Sequence, residues 1–177
     1  RVAIGRSNLR DPTAFLFGVD EPGAIINAGT LAVPEGEGVS LVGGTVINTG
    51  TIEAPGGQIS VTAVPGTSRV RLEQPGWVVG LEVDVAQLAE AGESAIAPWD
   101  LPRLLTEGPS SIETGLAVST DDEVRLSRSE VVVPEEGATS LVSSLLDVSN
   151  TQSGQVGGEV AVLGERVGLA DGTVDAS

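Results

Sequence analysis

Short runs in which apolar and polar residues alternate recur along the chain and predict β-strands rather than amphipathic helices. Clear examples are residues 58–62, 124–126 and 159–163. Successive side chains of a strand point to opposite faces, so alternate positions are expected to face a core. The predicted inward residues are Ile59, Val61, Val124, Leu126, Val160 and Val162, and their outward neighbours include Gln58, Ser60, Thr62 and Arg125.

The chain also repeats itself. Residues 26–33 (INAGTLAV) and 47–54 (INTGTIEA) share one pattern at an offset of 21, and residues 169–176 (LADGTVDA) carry a partial third copy. Strand-like segments at 38–42 and 58–62 recur at nearly the same spacing. The aligned positions are Asn27 with Asn48; Gly29 with Gly50 and Gly172; and Thr30 with Thr51 and Thr173. The unit is therefore strand, glycine turn, strand, glycine turn.

A period near 20 residues with short strands limits the fold to a few repeat architectures. The leucine and asparagine pattern of leucine-rich repeats is absent, and so is the six-residue pulse of left-handed hexapeptide helices. We therefore predict an all-β fold, a right-handed parallel β-helix with about three short strands per coil. Each strand would stack on its equivalent one coil further on, roughly 4.8 Å away.

The repeated Asn-x-Gly triplet has a structural explanation in such a stack. Asn tolerates the left-handed backbone region and Gly adopts it without penalty, so Gly29, Gly50 and Gly172 are predicted turn residues. Asn27 and Asn48, one coil apart, are predicted to form a ladder of side-chain amides. The alternative is two independent surface turns with the same chemistry. The sequence leaves open whether these amides point into the coil or away from it.

The regular pattern is interrupted in the middle of the chain. Residues 69–85 still resemble strands, whereas 86–114 lose the register and include a helix-forming composition followed by Trp99. We predict a single β-helix domain over 1–177. It comprises coils over 1–85, an irregular and partly helical excursion at 86–114, and continuing coils over 115–177.

Composition excludes several classes of chemistry. The 177 residues carry 9 basic and 25 acidic side chains, a net charge of −16, and no His or Cys; every basic residue is Arg. Thiolate nucleophiles, zinc–thiolate sites, a Ser-His-Asp triad, Schiff-base chemistry and a P-loop are thereby excluded. The negative charge argues against nucleic acid as a partner. We also expect no membrane span, since every apolar run is much shorter than a spanning helix requires.

Some charged and aromatic residues are candidates for sites. Acidic groups in turn-like contexts would bind Ca²⁺ or supply paired carboxylates, but solvated turns are the more common use of such residues. Arg69 and Arg71 would hold a carboxylated glycan, although a salt bridge is the commoner role. Trp77 would stack on a sugar or anchor a turn. The acidic groups are Asp121, Asp122 and Glu123; Glu135 and Glu136; and Asp171 with Asp175.

Four stretches of the chain match the pattern of a known family: 12–17 (PTAFLF), 36–44 (ending SLVGG), 48–57 (NTGTIEAPGG) and 70–72 (VRL). On these stretches, residues 11–83 resemble the filamentous haemagglutinin N-terminal type of domain of two-partner-secreted exoproteins, and look most like its large cyanobacterial members. Residues 153–177 resemble the continuing β-helix of the same proteins.

The resemblance implies a secreted protein that crosses the outer membrane through a partner transporter barrel and folds outside the cell, with adhesive functions at the cell surface. The family's Asn-Pro-Asn secretion motifs are absent, so we expect this piece of a longer chain to begin downstream of them. The first hypothesis is a non-catalytic structural or adhesive segment. The alternatives are a polysaccharide-active β-helix enzyme and a module that binds a glycan or peptide receptor. We assign no catalytic, cofactor-binding or metal-binding residue.

Overall fold

A computed structural model of the protein describes residues 14–66, 68–71, 80–83, 114–121, 123–134, 137–150 and 154–177. Every regular element within these ranges is a β-strand, so the described part of the chain is all-β, as predicted. The strands are β1 (Ala14–Leu16), β2 (Ile25–Asn27), β3 (Thr30–Ala32), β4 (Gly38–Gly43), β5 (Thr45–Asn48), β6 (Thr51–Glu53), β7 (Gln58–Ala63), β8 (Ser68–Arg71), β9 (Gly80–Val83), β10 (Leu116–Val118), β11 (Val124–Leu126), β12 (Thr139–Val142), β13 (Leu145–Asp147), β14 (Glu159–Leu163), β15 (Arg166–Leu169) and β16 (Thr173–Asp175).

Eleven of these strands form three parallel sheets. Sheet I has the order β15-β12-β5-β2, sheet II the order β16-β13-β6-β3, and sheet III the order β14-β7-β4. From β2 onward the chain visits sheets I, II and III in turn, repeats that circuit, and resumes it at β12. Successive circuits therefore lie side by side in every sheet.

The offset of the sequence repeat equals the offset at which the parallel strands pair. Asn27 pairs with Asn48 and Leu31 with Ile52, both at the offset that relates the first two copies of the repeat. In sheet II the partial third copy holds the same register, since Val174 pairs with Leu146, which pairs with Ile52.

The third copy departs from that register in sheet I. Leu169, rather than Ala170, occupies the position of Asn48, because both pair with Val142. The turn that follows holds one additional residue, and Asp171 within it has a left-handed φ of 56°.

A hydrophobic core is built from alternate residues of all three sheets. Ile59 and Val61 are buried in it, and Val160 and Val162 pack against it, so these inward positions are confirmed. The outward residue Ser60, which lies between Ile59 and Val61, is also buried, although an outward position is usually exposed to solvent. All six residues of β7 are buried, which indicates that both faces of this strand are covered. The core residues are Val46, Ile52, Ala54, Ile59, Val61, Val142, Leu146 and Val148.

A second apolar cluster covers the outer face of sheet I. Ile47 and Leu141 alternate with core residues along β5 and β12, so they point away from the core. They pack with Leu116 of β10 and with Val124 and Leu126 of β11, two strands that form an antiparallel hairpin. Val124 and Leu126 are buried as predicted, but in this outer layer rather than inside a coil.

Residues 69–71 and 80–83 are strands, as predicted, but they do not continue the predicted coils. Strands β8 and β9 pair antiparallel, with β8 also antiparallel to β1, and neither joins a parallel sheet. The last residue of β7 is Ala63, and the following Val64 packs with Val70, Phe17 and Val42 in a separate cluster. Among the described residues, it next joins sheet I at Thr139.

No described residue between 64 and 138 belongs to a strand of the parallel sheets, a wider interval than the excursion predicted at 86–114. Residues 86–113 of that excursion, including Trp99, lie outside the described residues. The parallel strands resume at β12, and not at residue 115, from which continuing coils are predicted. Strands β10 and β11, which lie between these points in the sequence, form the hairpin of the outer layer.

Candidate functional site

Sheet II presents the most open outer face of the three parallel sheets. The outer face of sheet I is covered by the β10–β11 hairpin, and the outward residues Ser60 and Thr62 of sheet III are buried. Ile52 and Leu146 of sheet II point into the core, so the residues flanking them point outward, and none of those is buried. This open face comprises Thr30, Ala32, Thr51, Glu53, Leu145, Asp147, Thr173 and Asp175.

Three carboxylates stand in one column of the open face. Glu53 pairs with Asp147, and Asp147 pairs with Asp175, so the three occupy successive strands of sheet II. Ala32 completes the column beyond Glu53. Neighbouring strands lie roughly 4.8 Å apart. Like charges directly opposite each other destabilise a sheet, so this acidic column is electrostatically unfavourable by itself.

Two of the carboxylates are fixed by the same local motif. Asp147 Oδ1 accepts hydrogen bonds from the Ser149 backbone N–H at 2.9 Å and from its hydroxyl at 2.5 Å. Asp175 Oδ1 accepts from the Ser177 N–H at 3.1 Å and hydroxyl at 2.9 Å. The Ser177 backbone N–H first, and its hydroxyl second, lower the pKa of Asp175. Asp175 is therefore ionised at neutral pH and keeps its charge into acidic conditions.

Sequence reasoning missed this column although the repeat contains part of it. The seventh position of the three copies is Ala32, Glu53 and Asp175, which is a visible acidic preference. Asp147 belongs to a circuit whose sequence does not match the repeat, so only the pairing of the strands brings it between the other two.

Removing one charge from the column is expected to stabilise the fold slightly. Glu53→Gln should raise the free energy of unfolding by about 0.5 kcal/mol at low salt, because it removes repulsion by Asp147. The gain should shrink at high salt, which screens exposed charges. Urea unfolding at two salt concentrations measures both. Glu159→Gln is the matched control, since Glu159 pairs with the uncharged Gln58, and it should show no such salt-dependent gain.

The hydrogen bonds of the Asp-x-Ser motif predict a measurable change in the pKa of Asp175 when the serine is replaced. Ser177→Ala removes the hydroxyl donor but keeps the backbone N–H, so the pKa of Asp175 should rise part of the way back toward its ordinary value. Carboxyl-carbon NMR during an acid titration reports that pKa directly. A lowered pKa stabilises the fold above the unfolded-state pKa, and this contribution is lost as the pH falls through the folded-state pKa. An unchanged pKa of Asp175 in the variant would contradict the role of the hydroxyl.

The Asn27 and Asn48 amides form the hydrogen bond that the repeat predicts. Asn27 Nδ2 donates to Asn48 Oδ1 at 2.7 Å, and Asn48 Nδ2 donates to the Gly50 carbonyl oxygen at 2.7 Å. The pair is internal, with Asn48 at 0% and Asn27 at 9% relative exposure. In the next two strands Val142 and Leu169 occupy the same column, so the polar ladder has two members and then becomes apolar.

The three predicted turn glycines differ in what surrounds them. A Cβ atom at Gly50 would overlap the backbone of Ala28 and Gly29, whereas one at Gly29 would meet nothing within 4 Å. At Gly172 it would lie 3.0 Å from Leu169 Cδ1 and from the Val142 carbonyl oxygen. None of the three has a positive φ. Close stacking of strands, rather than the left-handed conformation, explains Gly50.

The acidic group at residues 121–123 is a hairpin turn in the part that the structure describes. The Asp121 N–H donates to Ser119 Oγ at 3.3 Å, and the Ser119 N–H donates to the Glu123 carbonyl oxygen at 2.8 Å. The Glu123 side chain forms a 2.6 Å ion pair with Arg125. Asp122 lies outside the described residues.

The remaining candidates do not assemble into a site among the described residues. Arg69 and Arg71 belong to β8, opposite Leu16 and Ala14 of β1. Asp171 is exposed in the turn before β16. Glu135, Glu136 and Trp77 lie outside the described residues. Within the described ranges no three acidic side chains are grouped so as to hold a metal ion.

The described residues contain no helix with the length and hydrophobicity needed to cross a membrane. Comparison of the chain with protein-family models, with curated proteins and with solved structures finds no match.

Proposed function

We propose that this chain is a segment of a right-handed parallel β-helix, with coils as long as the sequence repeat. The cyclic order of sheets I, II and III along the chain supports the proposal, since each circuit adds one strand to every sheet. The core shared by all three sheets is the interior that such a coil encloses. The β8–β9 and β10–β11 segments are insertions on the outside of this coil.

The proposed function is that of a non-catalytic, structural or adhesive segment of a secreted exoprotein. The observation that carries it is the coincidence of the repeat with the parallel register, because this register places the family-like residues 26–33 and 47–54 on adjacent strands. Two further features are compatible with export. A chain without cysteine forms no disulfide before it is threaded through a barrel. Stacked coils also fold progressively, each on the previous one.

The proposed partners are the transporter barrel of a two-partner secretion system and a receptor at the cell surface. The open face of sheet II is the part of the described surface best suited to the receptor, because the outer face of sheet I lies under the hairpin and that of β7 is buried. Its acidic column favours a receptor that is cationic or neutral and disfavours one rich in carboxylate or sulfate.

Location and size of the native product test the proposed function. An antibody raised against this chain is used on cytosol, outer membrane and medium of the source cells, with protease added to intact cells as a measure of surface exposure. A protease-sensitive surface product, or one in the medium, much larger than this chain supports the proposal. A protease-protected product confined to the cytosol contradicts it.

One observation favours the enzyme alternative enough to specify a test. Glycoside hydrolysis needs two carboxylates on one face, and the acidic column supplies three. A general acid needs a raised pKa, however, and that of Asp175 is lowered. Incubation with neutral and acidic polysaccharides, followed by reducing-end and unsaturated-product assays, tests whether the protein cleaves a polysaccharide. Turnover that is lost in Asp147→Asn and kept in Glu159→Gln would establish the enzyme.

A further inference from the structure

The corner between sheets III and I is where the chain passes from one circuit to the next. Between β4 and β5 it holds the single residue Gly44, and between β14 and β15 it holds Gly164 and Glu165. Between β7 and β12, by contrast, residues 64–138 separate the same two sheets. The middle circuit therefore carries a long segment at a corner that its neighbours close with one or two residues.

The strands on either side of this segment are in register to be joined by a short link. Ala63 pairs with Gly43, and Thr139 pairs with Thr45. Only Gly44 separates those two partners, so one residue placed over Gly44 would connect Ala63 to Thr139. The connected chain would then run from Thr45 to Thr139 in as many residues as separate the paired positions of β4 and β7.

The two ends of the segment also lie close together in space. The Ala63 N–H donates a hydrogen bond to Ser140 Oγ at 3.0 Å. A Cβ atom built on Gly164, in the next circuit, would lie 3.0 Å from the Ala138 carbonyl oxygen and 3.3 Å from Ala63 Cβ. The segment therefore begins and ends at one corner of the parallel sheets.

The described residues of the segment pack on the parallel sheets without extending them. Strands β8 to β11 lie in antiparallel sheets of their own, and none of them pairs with a strand of sheets I, II or III. None of the described residues between Val64 and Ala138 belongs to the core that the three sheets share. Their apolar contacts lie outside that core: Leu116, Val124, Leu126 and Val133 pack with Ile47 and Leu141, and Val70 packs with Phe17 and Val42.

We propose that the chain between Val64 and Ala138 is an insertion at this corner, and that the three parallel sheets form without it. We define the described residues of this insertion as the inserted unit. Its contribution to the sheets is to cover outward apolar side chains such as Ile47 and Leu141, which would otherwise face water. The inference rests on the register of the described strands and holds whether or not the protein is secreted or adhesive.

Excision of the insertion is the first test. Residues 64–138 are replaced by a single glycine, and apolar side chains that contact the inserted unit are made polar. The excised chain should remain soluble, keep the circular dichroism of β-structure and unfold in urea in one cooperative transition. An unfolded chain would overturn the proposal. The accompanying substitutions are Phe17→Ser, Ile26→Thr, Val42→Thr, Ile47→Thr and Leu141→Thr.

Two matched chains test the link and the covering role. Consecutive Cα atoms lie about 3.8 Å apart, too short a step to span Gly44, so joining Ala63 directly to Thr139 forces β12 to shift by one residue and turn its core side chains outward. This chain should unfold at a much lower urea concentration than the chain with the glycine link. The excised chain without the polar substitutions should aggregate, because its apolar outer faces are uncovered. Equal stability of the two links, or full solubility without the substitutions, would contradict the proposal.

Native-state hydrogen exchange provides a test on the intact protein. The Leu126 and Val133 N–H groups are hydrogen-bonded within the inserted unit, and the Ala54 and Ser143 N–H groups are bonded between circuits of the parallel sheets. If the inserted unit unfolds from intact sheets, Leu126 and Val133 should exchange faster than Ala54 and Ser143, and their exchange should depend less on urea. The same rate and urea dependence for all four amides would mean that the unit and the sheets unfold only together, which would overturn the proposal.

Discussion

Replacing Gly50 with alanine is expected to destabilise the protein by about 3 kcal/mol, near the upper end of the usual cost of overpacking. A Cβ atom at this position would lie 2.7 Å from the Ala28 carbonyl carbon and the Gly29 nitrogen, and closer still to the Gly29 oxygen. All of these are backbone atoms of the preceding circuit, so no change of rotamer relieves the overlap. Either the two circuits separate locally, which weakens their hydrogen bonds, or the turn changes its conformation.

Gly29→Ala is a closely matched control, because the two glycines occupy the same place in successive copies of the repeat. A Cβ atom at Gly29 meets nothing within 4 Å, and its φ is not in the left-handed range. This variant should change stability by no more than about 0.5 kcal/mol. Urea unfolding of both variants measures the difference. Equal costs at the two positions would mean that turn conformation, and not contact between circuits, requires the glycine.

The sequence predicts the pairing of strands correctly where copies of the repeat are present. Where two copies align, as at Asn27 with Asn48, their common offset determines which strands become neighbours, and the parallel pairing follows it. Alternation then assigns the inward residues Ile59 and Val61 correctly. Both inferences use only the period of the chain and the alternation of side chains along a strand.

The prediction fails where strand-forming residues lack a repeat partner. Residues 69–85 have the composition of a strand, but composition does not distinguish a parallel neighbour one circuit away from an antiparallel neighbour such as β1. The same limit applies to β10 and β11, whose apolar residues cover the outside of sheet I. Burial of Ser60 and Thr62 was also unpredictable, since a polar residue in an alternating strand normally indicates solvent.

The acidic column illustrates what a partial repeat conceals. Glu53 and Asp175 align in sequence, yet they become neighbours of one carboxylate only because β13 lies between β6 and β16. The sequence around Asp147 does not match the repeat and therefore does not predict that Asp147 lies between Glu53 and Asp175. A site that depends on the order of strands therefore needs the pairing as well as the residue types.

Converting Asn48 to aspartate is expected to cost about 3 kcal/mol at neutral pH, because it buries a charge and deprives a carbonyl oxygen of its donor. Asn48 is fully buried, its Nδ2 donates to the Gly50 carbonyl oxygen, and its Oδ1 accepts from Asn27. A carboxylate keeps the second hydrogen bond but turns an oxygen toward the Gly50 oxygen. Burial and this repulsion should raise the pKa of the introduced carboxyl above the value of about 3.9 for an unperturbed aspartate.

The sign of the pH dependence distinguishes this explanation from simple loss of packing. A raised folded-state pKa means that the penalty is absent well below the unfolded-state pKa, grows as the pH rises, and is complete above the folded-state pKa. The protonated acid can again donate to the Gly50 oxygen, so the deficit relative to the original protein should narrow on acidification. Asn48→Leu, which leaves Asn27 Nδ2 and the Gly50 oxygen unpaired, should cost about 2 kcal/mol at every pH. Urea unfolding of the three proteins from neutral to acidic pH measures these differences, and parallel pH profiles for the two variants would contradict the burial of a charge at position 48.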